Sequence, residues 1–324
     1  MNILWIKDGK IGHEKQVKTL LDELSKIIDI NVVEKEYIIG PFQRAFDIFD
    51  YAIGLAGDTK APYPPHKQKN IDLIIGAGSN VNVEILNIKY WLKKWFNKDV
   101  LAVSILVPNY FKENFDIVCA PKHDRHKLAI KHDVIFFEGS LAKVSTVDVD
   151  ENIGLIAIGG KNKHYLFNIE KILEQIEFAV SLYPSKTWHI FPSRRTPENM
   201  LKKLRNITKT NNKILVSKAG FDEILARASI KIITQDSMNM VYESLSTKGS
   251  TLLFNMKYLK KNKVINQMNE LLHNKQVGYI EYNEMVKGLN KIKIHMPNPH
   301  NEVFAEVEKL AYKLVQKIKD LTKI

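Results

Sequence analysis

The stretch 230–244 constrains the fold most, because it joins three local patterns without a break. A β-branched run ends at Thr234, two polar residues follow, and a helical pattern begins with Ser237 as the expected N-cap. In α/β proteins, a parallel strand delivers a loop and a helix N-terminus to the ligand-binding edge of its sheet in this way. The sequence therefore predicts an α/β fold with parallel strands.

The polar elbow between this strand and helix has the properties of an anion site. An exposed helix start offers unpaired backbone N–H groups and the positive end of the helix dipole, and both suit a diphosphate. Asp236, Met240 and Glu243 fall at i, i+4 and i+7, on one face of the helix. We hypothesise that the elbow binds the phosphates of a nucleotide while Glu243 accepts hydrogen bonds from its ribose hydroxyls. The alternative is a capped helix packed on a sheet, with Glu243 in solvent.

The chain is long enough for two domains. Its 324 residues exceed the usual size of one hydrophobic core. The pattern of an apolar strand and a glycine turn restarts at 153–160, after a polar stretch that suits a linker. We therefore expect a first domain over 1–150 and a second over 151–301. A C-terminal helix over 302–324 has one apolar face and would pack back on the first domain.

Composition limits the partners and the compartment. The formal net charge of +12 implies an anionic partner, either a nucleotide, a nucleic acid or an acidic membrane. The aromatic and basic strand signature of a common RNA-binding module is absent, which argues against nucleic acid.

A single cysteine, Cys119, excludes an intramolecular disulfide and a cysteine-based zinc site. No signal peptide or membrane-spanning run is found. We expect a cytoplasmic protein that rests on the inner face of the plasma membrane if it contacts one.

The first strand–loop–helix unit carries candidate catalytic residues. An apolar run at 3–6 leads into a loop with two glycines, Gly9 and Gly12, which allow a ligand to approach the backbone closely. The loop lacks the Gly-Lys-Ser/Thr ending of a P-loop. Asp8 and His13 stand at its mouth, where a general base would be well placed. A structural histidine with its hydrogen bonds satisfied is the alternative.

A second candidate phosphate site lies at 192–197. Arg194 and Arg195 stand between Ser193 and Thr196, just before a helix that has Pro197 near its first position. Paired guanidinium groups, hydroxyls and a helix start together suit a phosphate. A surface turn with solvated arginines is the alternative.

Metal binding is not expected. Asp148 and Asp150 form a D-x-D pair of the kind that holds a metal-bound nucleotide sugar in some transferases, but a solvated linker explains them better. His123 and Asp124 belong to a polar cluster that lacks a third ligand at diagnostic spacing. A polar loop at the end of a strand, pointing into the cleft between the domains, fits that cluster better.

Two aromatic helices have more than one interpretation. Phe42, Phe46 and Phe49 lie on one face of a helix before a proline loop at 63–65, which suits either a flap over an acceptor or a packed core, and core is favoured. The helix at 88–96 has an apolar stripe with Trp91 and Trp95 beside lysines. This stripe could lie in an anionic membrane interface, but covering a sheet is the favoured interpretation.

Five short motifs, in this order along nearly the whole chain, resemble one family. They are Asp8-Gly-Lys-x-Gly-His13, Pro121-Lys-His-Asp124, Gly159-Gly160, Ser193-Arg-Arg-Thr-Pro197 and Asp236-Ser-x-x-Met240-x-x-Glu243. The family is the bacterial and plant one named for the plant elongated-mitochondria (mitochondrial fission) protein, whose bacterial members are regarded as glycosyltransferases. One departure is Ile11, where the family often has proline after the lysine.

The resemblance implies a GT-B architecture, with two Rossmann-like domains whose parallel sheets face a cleft. It also implies a division of the site residues between the two domains. The donor would be bound by Gly160, Ser193, Arg194, Arg195, Thr196, Asp236, Ser237, Met240 and Glu243. Catalysis would fall to His13 and Asp8, and the acceptor would lie on the first domain near Lys10, Gly12, His123 and Asp124.

The function that follows is an inverting, metal-independent transfer of a sugar from a nucleoside diphosphate sugar to a saccharide or lipid-linked acceptor of the cell envelope, such as lipopolysaccharide. No cofactor is expected, since the nucleotide sugar is a substrate. An anionic membrane surface is a further expected partner. Two alternatives remain open: a nucleotide-sugar epimerase with the same architecture, and a non-catalytic protein that binds a membrane.

Overall fold

The computed structural model describes residues 1–38, 40–56, 70–128, 133–217, 220–284 and 290–322. The chain divides into two compact units, Met1–Ala142 with Glu306–Ile324, and Lys143–Ala305. The first boundary thus falls eight residues before the predicted position, after 142 instead of 150. The boundary is earlier because the segment before the first strand of the second unit already contacts that unit. In this segment the Ser145 amide donates to the Ser246 carbonyl at 2.9 Å.

The first unit is built on a six-stranded sheet in which every pair of neighbours is parallel. Its strands are β1 (Asn2–Lys7), β2 (Asn31–Glu36), β3 (Leu73–Ala77), β4 (Leu101–Ile105), β5 (Ile117–Pro121) and β6 (Val134–Phe137), in the order β2-β1-β3-β4-β5-β6. Its first three helices are α1 (Ile11–Leu24), α2 (Pro41–Ala56) and α3 (Asn82–Phe96). The inner strands β3 and β5 are buried along their whole length, as expected for a sheet covered on both faces.

The second unit is built on a seven-stranded sheet that is parallel except for its last pair. Its strands are β7 (Asp150–Ile158), β8 (Thr187–Pro192), β9 (Ile214–Val216), β10 (Ala228–Ile233), β11 (Ser250–Leu253), β12 (Gly278–Glu284) and β13 (Asn290–His295), in the order β13-β12-β11-β10-β7-β8-β9. Its helices are α4 (Ile169–Leu182), α5 (Glu198–Thr210), α6 (Phe221–Arg227), α7 (Met238–Leu245) and α8 (Lys263–His273). The two sheets confirm the predicted α/β class. The cleft between the domains stays a prediction.

The last helix, α9 (Glu306–Thr322), belongs to the first unit. It contacts α1 and β6, and it buries one stripe of apolar side chains there. The Glu306 carboxylate also accepts a hydrogen bond from the Glu138 amide at 2.7 Å. The chain therefore returns to its first unit at its last helix.

Both sheets have a switch point, where the chain changes the direction in which it adds strands. In the first unit the switch falls between β1 and β3, because β2 was added on the other side of β1. In the second unit it falls between β7 and β10. At such a point the loops after the two strands diverge and leave a crevice at the carboxyl edge of the sheet. Each unit therefore has one preferred place for a ligand.

The two aromatic helices behave differently from each other. In α3, Ile88 and Leu92 are completely buried against the first sheet, and Trp95 is half-exposed. Most of its stripe therefore covers the sheet. In α2, Phe42, Phe46 and Phe49 are exposed by 83%, 64% and 61%, so the expectation that they are packed core was wrong. The proline loop predicted after them lies outside the described residues.

Within the described ranges, no helix has both the length and the apolar character needed to cross a membrane.

A buried lysine in β10 fixes the far end of α7. The side chain of Lys231 is fully buried, and its ammonium nitrogen donates to the Ser244 carbonyl at 2.8 Å, the Thr247 hydroxyl at 2.7 Å and the Lys248 carbonyl at 2.6 Å. These acceptors lie at the C-terminus of α7, where carbonyl groups have no partner within the helix and where a cation is favoured by the helix dipole. Burial lowers the pKa of Lys231 to about 7, from 10.5.

The lowered pKa of Lys231 predicts a rise of stability with pH. Between pH 7 and 10.5 the unfolded chain binds a proton at this lysine that the folded protein does not, so the free energy of unfolding increases across that window. The slope is at most about 1.4 kcal/mol per pH unit. The K231M variant lacks the group, and its stability relative to wild type should fall progressively as the pH rises. Urea unfolding at a series of pH values measures both proteins.

The exposed Lys202 provides the control for this measurement. The stability of K202M should follow that of wild type at every pH. A constant difference between wild type and K231M from pH 7 to pH 10 would contradict the assignment of the lowered pKa to Lys231.

Candidate functional site

In the second unit, three loops converge on the buried carboxylate of Asp236. These loops follow the neighbouring strands β10, β7 and β8, so they leave the sheet at the same edge. One carboxylate oxygen of Asp236 accepts from the Gly160 amide at 3.0 Å and lies 2.8 Å from the Arg195 guanidinium. The Asp236 side chain is 0% exposed, and that of Arg195 is 45% exposed. Asp236 therefore fixes the loops from the protein interior, while Arg195 is partly exposed to solvent.

Glycines are required in the loop after β7. A Cβ on Gly159 would lie 2.2 Å from the carboxylate oxygens of Asp236, and one on Gly160 would lie 2.0 Å from the Arg195 carbonyl oxygen. Neither distance is compatible with a side chain. The pair allows backbone, carboxylate and arginine to occupy one small volume, which is the role that glycine has where chains approach closely.

Threonine hydroxyls fix the same three loops. Thr234 Oγ1 accepts from the Gly159 amide at 2.7 Å, and Thr196 Oγ1 donates to the Gly159 carbonyl at 2.5 Å. Thr196 also accepts from the Ser193 amide at 2.9 Å, which closes the turn that carries the two arginines. Thr196 and Thr234 are buried. Of this turn, Arg194 and Arg195 are exposed and Ser193 is half-buried.

The N-terminus of α7 borders this cluster. Ser237 occupies the N-cap position, as predicted, but its side chain makes no capping hydrogen bond. Ser237, Met240 and Glu243 are half-buried. The first amides of the helix and its positive dipole end thus lie directly after Asp236, the residue that binds Arg195. The contacts given above connect Gly160, Ser193, Arg195, Thr196 and Asp236, and Ser237 follows Asp236 directly, whereas Met240 and Glu243 lie further along α7.

Sequence reasoning missed two residues of this cluster. The Asn162 side chain donates to the Asp236 carbonyl at 2.9 Å and accepts from the Tyr165 amide at 2.9 Å, so it ties the loop after β7 to the elbow. Tyr165 is buried, and both burial and the charge of Asp236 raise its pKa. Among the described residues, neither the Tyr165 hydroxyl nor Oδ1 of Asp236 has a hydrogen-bond partner. The only sequence signal was their position just after Gly159-Gly160.

In the first unit, Asp8 and His13 form a hydrogen-bonded pair. His13 Nδ1 lies 2.8 Å from the Asp8 carboxylate, which is 0% exposed and also accepts from the Lys10 amide at 3.1 Å. An ionised carboxylate can only accept, so Nδ1 carries the hydrogen, and in the neutral ring Nε2 is left as a base. The His13 side chain is 26% exposed. Asp8 therefore orients the imidazole, and His13 is the group that can reach a substrate.

Gly78, in the loop after β3, packs directly against this pair. It has a positive φ of 87°, and a Cβ built on it would lie 2.5 Å from the His13 ring and 3.2 Å from the Asp8 carboxylate. The loops after β1 and β3 flank the switch point of the first sheet. Gly78 therefore makes room for the His13 ring.

The four predicted acceptor residues lie in two places. Lys10 is the N-cap residue of α1 and Gly12 lies in its first turn, so both belong to the Asp8–His13 loop. His123 and Asp124 follow β5 in a short 3₁₀ helix. The Asp124 carboxylate there is 2.8 Å from the Lys127 ammonium and 3.9 Å from His123 Nε2. Since β4 and β5 lie beyond β3 in the sheet, this second group is separate from the switch point.

The D-x-D carboxylates are surface ion-pair partners. Asp148 lies 2.6 Å from the Lys248 ammonium, and Asp150 lies 3.4 Å from the Arg227 guanidinium. Across the part of the chain that the structure describes, no group of three or more His, Cys, Asp or Glu side chains is arranged to hold a metal ion.

The contacts of Gly160 predict that G160A destabilises the second unit. The added methyl group would overlap the Arg195 carbonyl, and relieving this overlap costs roughly 1–3 kcal/mol. Urea unfolding measures the loss. The K161A variant changes the next, exposed residue of the same loop and should stay within about 0.5 kcal/mol of wild type. Equal stabilities of G160A and K161A would refute the close approach.

Comparison with solved structures gives likenesses at low sequence identity. The UDP-GlcNAc 2-epimerase from Methanocaldococcus jannaschii is 13% identical, with a TM-score of 0.50 over 98% of this chain and 100% of the other. A candidate UDP-N-acetylglucosamine 2-epimerase from Listeria monocytogenes is 8% identical, with a TM-score of 0.53 over 97% of this chain and 88% of the other. Such likenesses show the fold, which is two Rossmann-like units of the GT-B type, as predicted.

A search of the curated proteins found no match to this sequence. A family model does match, over residues 11–316, which is nearly the whole chain. Its description is "Mitochondrial fission ELM1", and this is the family that the five sequence motifs predicted. The chain belongs to the mitochondrial fission ELM1 family.

Proposed function

We propose that the protein is a glycosyltransferase that uses a nucleoside diphosphate sugar as donor and transfers the sugar with inversion and without a metal ion. The observation that carries this proposal is the Asp236 cluster, because it presents a half-exposed arginine beside a helix N-terminus at the switch point of a parallel sheet. That combination supports diphosphate binding without a cation, since guanidinium and amide donors both favour anionic oxygens.

The donor site would act through Arg195 and the first amides of α7. In an inverting transfer the bond between the sugar and the diphosphate breaks, and negative charge grows on the leaving diphosphate. Fixed donors aimed at that charge stabilise the transition state more than the ground state. The buried Asp236 keeps Arg195 in place before the donor arrives. Arg194 and Ser193 would add contacts to the phosphates, and Glu243 would bind the ribose.

His13 would be the general base. It would accept the proton of the acceptor hydroxyl at Nε2 as the oxygen attacks the anomeric carbon, while Asp8 stabilises the imidazolium that forms. Lys10, which is exposed, and Gly12, which is half-buried, would contact the acceptor from the same loop. The acceptor itself would be a saccharide or lipid-linked compound of the cell envelope.

Removing the Arg195 guanidinium should weaken nucleotide binding. Hydrogen bonds to a charged group contribute roughly 1.5–3 kcal/mol, so R195A should bind UDP, or whichever of GDP, CDP and CMP stabilises wild type, roughly ten- to a hundredfold more weakly. Thermal shift finds the nucleotide, and titration calorimetry then measures the affinity. Arg205 is the matched control, since it is an exposed arginine of the same unit, in α5, and its guanidinium lies 3.6 Å from the Glu198 carboxylate. R205A should bind like wild type. Equal affinities of R195A and wild type would reject the donor site.

Replacing His13 should separate binding from catalysis. H13A should lower kcat by a factor of roughly 10² to 10⁴, while its affinity for the nucleotide stays that of wild type. D8N keeps the shape of the side chain but removes the charge that stabilises the imidazolium, so its kcat should also fall. Product formation from the donor found by thermal shift, with a panel of saccharide acceptors, measures kcat. Full activity of H13A would remove His13 from the mechanism.

An epimerase is the second candidate, because both solved structures compared above carry that activity in their descriptions. The two reactions differ in their need for an acceptor. A change of sugar configuration in the donor, found by NMR with no acceptor present, would favour the epimerase. Transfer of the sugar to an added acceptor would favour the transferase.

A further inference from the structure

Helix α2 presents an apolar face to solvent. Phe42, Phe46, Phe49 and Ile53 follow one another at i, i+4, i+7 and i+11, which is one side of an α-helix. The three phenylalanines are 83%, 64% and 61% exposed, and Ile53 is 37% exposed. Ile38, just before the helix, is 69% exposed. These five side chains are called the α2 stripe below. Single exposed apolar residues are ordinary, whereas a continuous row of this kind marks an interaction surface.

The opposite side of α2 is held firmly, so the stripe is a fixed feature. Tyr51 is buried, accepts from the Asn114 side chain at 2.9 Å, and packs edge-on against Phe111 with ring centroids 4.9 Å apart. The Arg44 guanidinium donates to the Asn80 side chain at 2.8 Å, and the Tyr37 hydroxyl donates to Asp47. The helix cannot turn its phenylalanines inward without breaking these contacts.

The exposed face of α2 carries no charge among its described side chains. The exposed residues are Phe42, Gln43, Ala45, Phe46, Phe49, Ala52 and Ile53. The two charged residues described on the helix, Arg44 and Asp47, are half-buried and bonded as stated above. A protein partner usually meets a polar, hydrogen-bonding rim. The hydrocarbon region of a bilayer offers no hydrogen-bond partners, so a helix face that enters it needs no polar rim.

The size of the stripe also argues against a second copy of the chain. An aromatic side chain presents roughly 150–250 Å² when fully exposed, so the three phenylalanines together offer roughly 400 Å², and Ile38 and Ile53, which are 69% and 37% exposed, add less than that. A stable dimer takes about 800 Å² from each partner. An interfacial helix needs only its own apolar face, which sinks about 5–10 Å into the boundary between headgroups and acyl chains.

Charge favours an anionic bilayer as the partner. The chain has a formal net charge of +12, which attracts it to a negatively charged surface. The stripe also lies beside the His13 loop, because a Cβ on Gly9 would be 3.1 Å from the Ile38 side chain. The half-exposed Lys10 follows Gly9 directly.

We propose that the α2 stripe docks the protein on a bilayer that contains anionic lipid, with the phenylalanines inserted among the acyl chains. This docking would bring the Asp8–His13 loop to the headgroup level of the membrane. The proposal does not depend on the transfer reaction, since vesicle binding is measured without a donor.

The test is flotation with vesicles of phosphatidylcholine alone and of phosphatidylcholine mixed with phosphatidylglycerol. Wild type should float with the anionic vesicles and bind the neutral ones more weakly. The triple variant F42S/F46S/F49S should lose at least tenfold in binding to the anionic vesicles. The matched control is L182S/L215S/L259S, which removes three exposed leucines of the second unit, and it should bind like wild type. Thermal melting verifies that both triple variants are folded.

A fluorescent label locates the contact directly. Cys119 is completely buried, and burial raises the pKa of its thiol to about 12, so a cysteine-reactive dye will label an introduced cysteine selectively. An environment-sensitive dye on F46C should shift to the blue and brighten when anionic vesicles are added, while the same dye on L182C should not.

Three results would overturn the proposal. The first is a wild type that floats with neither type of vesicle. The second is a triple variant, F42S/F46S/F49S, that still floats. The third is a dimer that light scattering finds for wild type but not for F42S/F46S/F49S, together with a dye on F46C whose fluorescence does not change when vesicles are added. This last result would identify a second copy of the chain as the partner.

Discussion

The candidate donor site depends on one buried carboxylate. Asp236 is the only group that contacts both the Gly160 amide and the Arg195 guanidinium among the contacts described above, and it lies beneath the surface that a ligand would meet. A buried charge is costly unless it is paired and hydrogen-bonded, and here the half-exposed arginine and the loop amide provide the pairing. The same pairing holds an otherwise mobile arginine in one direction. The pairing of the buried charge and the orientation of Arg195 therefore depend on the same contact.

Much of this arrangement could be predicted from local sequence. Short apolar runs that end in polar glycine loops and pass into helices predict parallel strands whose loops share one edge. That reasoning proposed separate phosphate sites at Arg195 and at Ser237, and the family resemblance then assigned both residues to one donor although 42 positions separate them. It also selected Asp8 and His13, because both stand in the first loop of that kind. Their roles followed only from burial, since a fully buried Asp8 can orient an imidazole but cannot reach a substrate.

The features that sequence did not predict are those set by distant contacts. Gly78 borders His13, and Asn162 binds the Asp236 carbonyl, yet neither partner is near in the chain. Asp236 was expected to touch the donor, because its place on the helix face gave no information about depth. The phenylalanines of α2 were expected in the core, because helical spacing shows which residues share a face but not what covers it. Each of these outcomes is decided by tertiary packing.

Lys231 holds the C-terminus of α7, and the Asp236 cluster borders its N-terminus. With both ends secured, the helix dipole already points at the place where the leaving phosphates would sit, before any ligand binds. Little free energy is then spent on reorganisation during binding or reaction, and this is the condition under which backbone dipoles catalyse most effectively. Lys231, a residue of β10 with no access to solvent, would thereby support the proposed chemistry at the opposite end of α7.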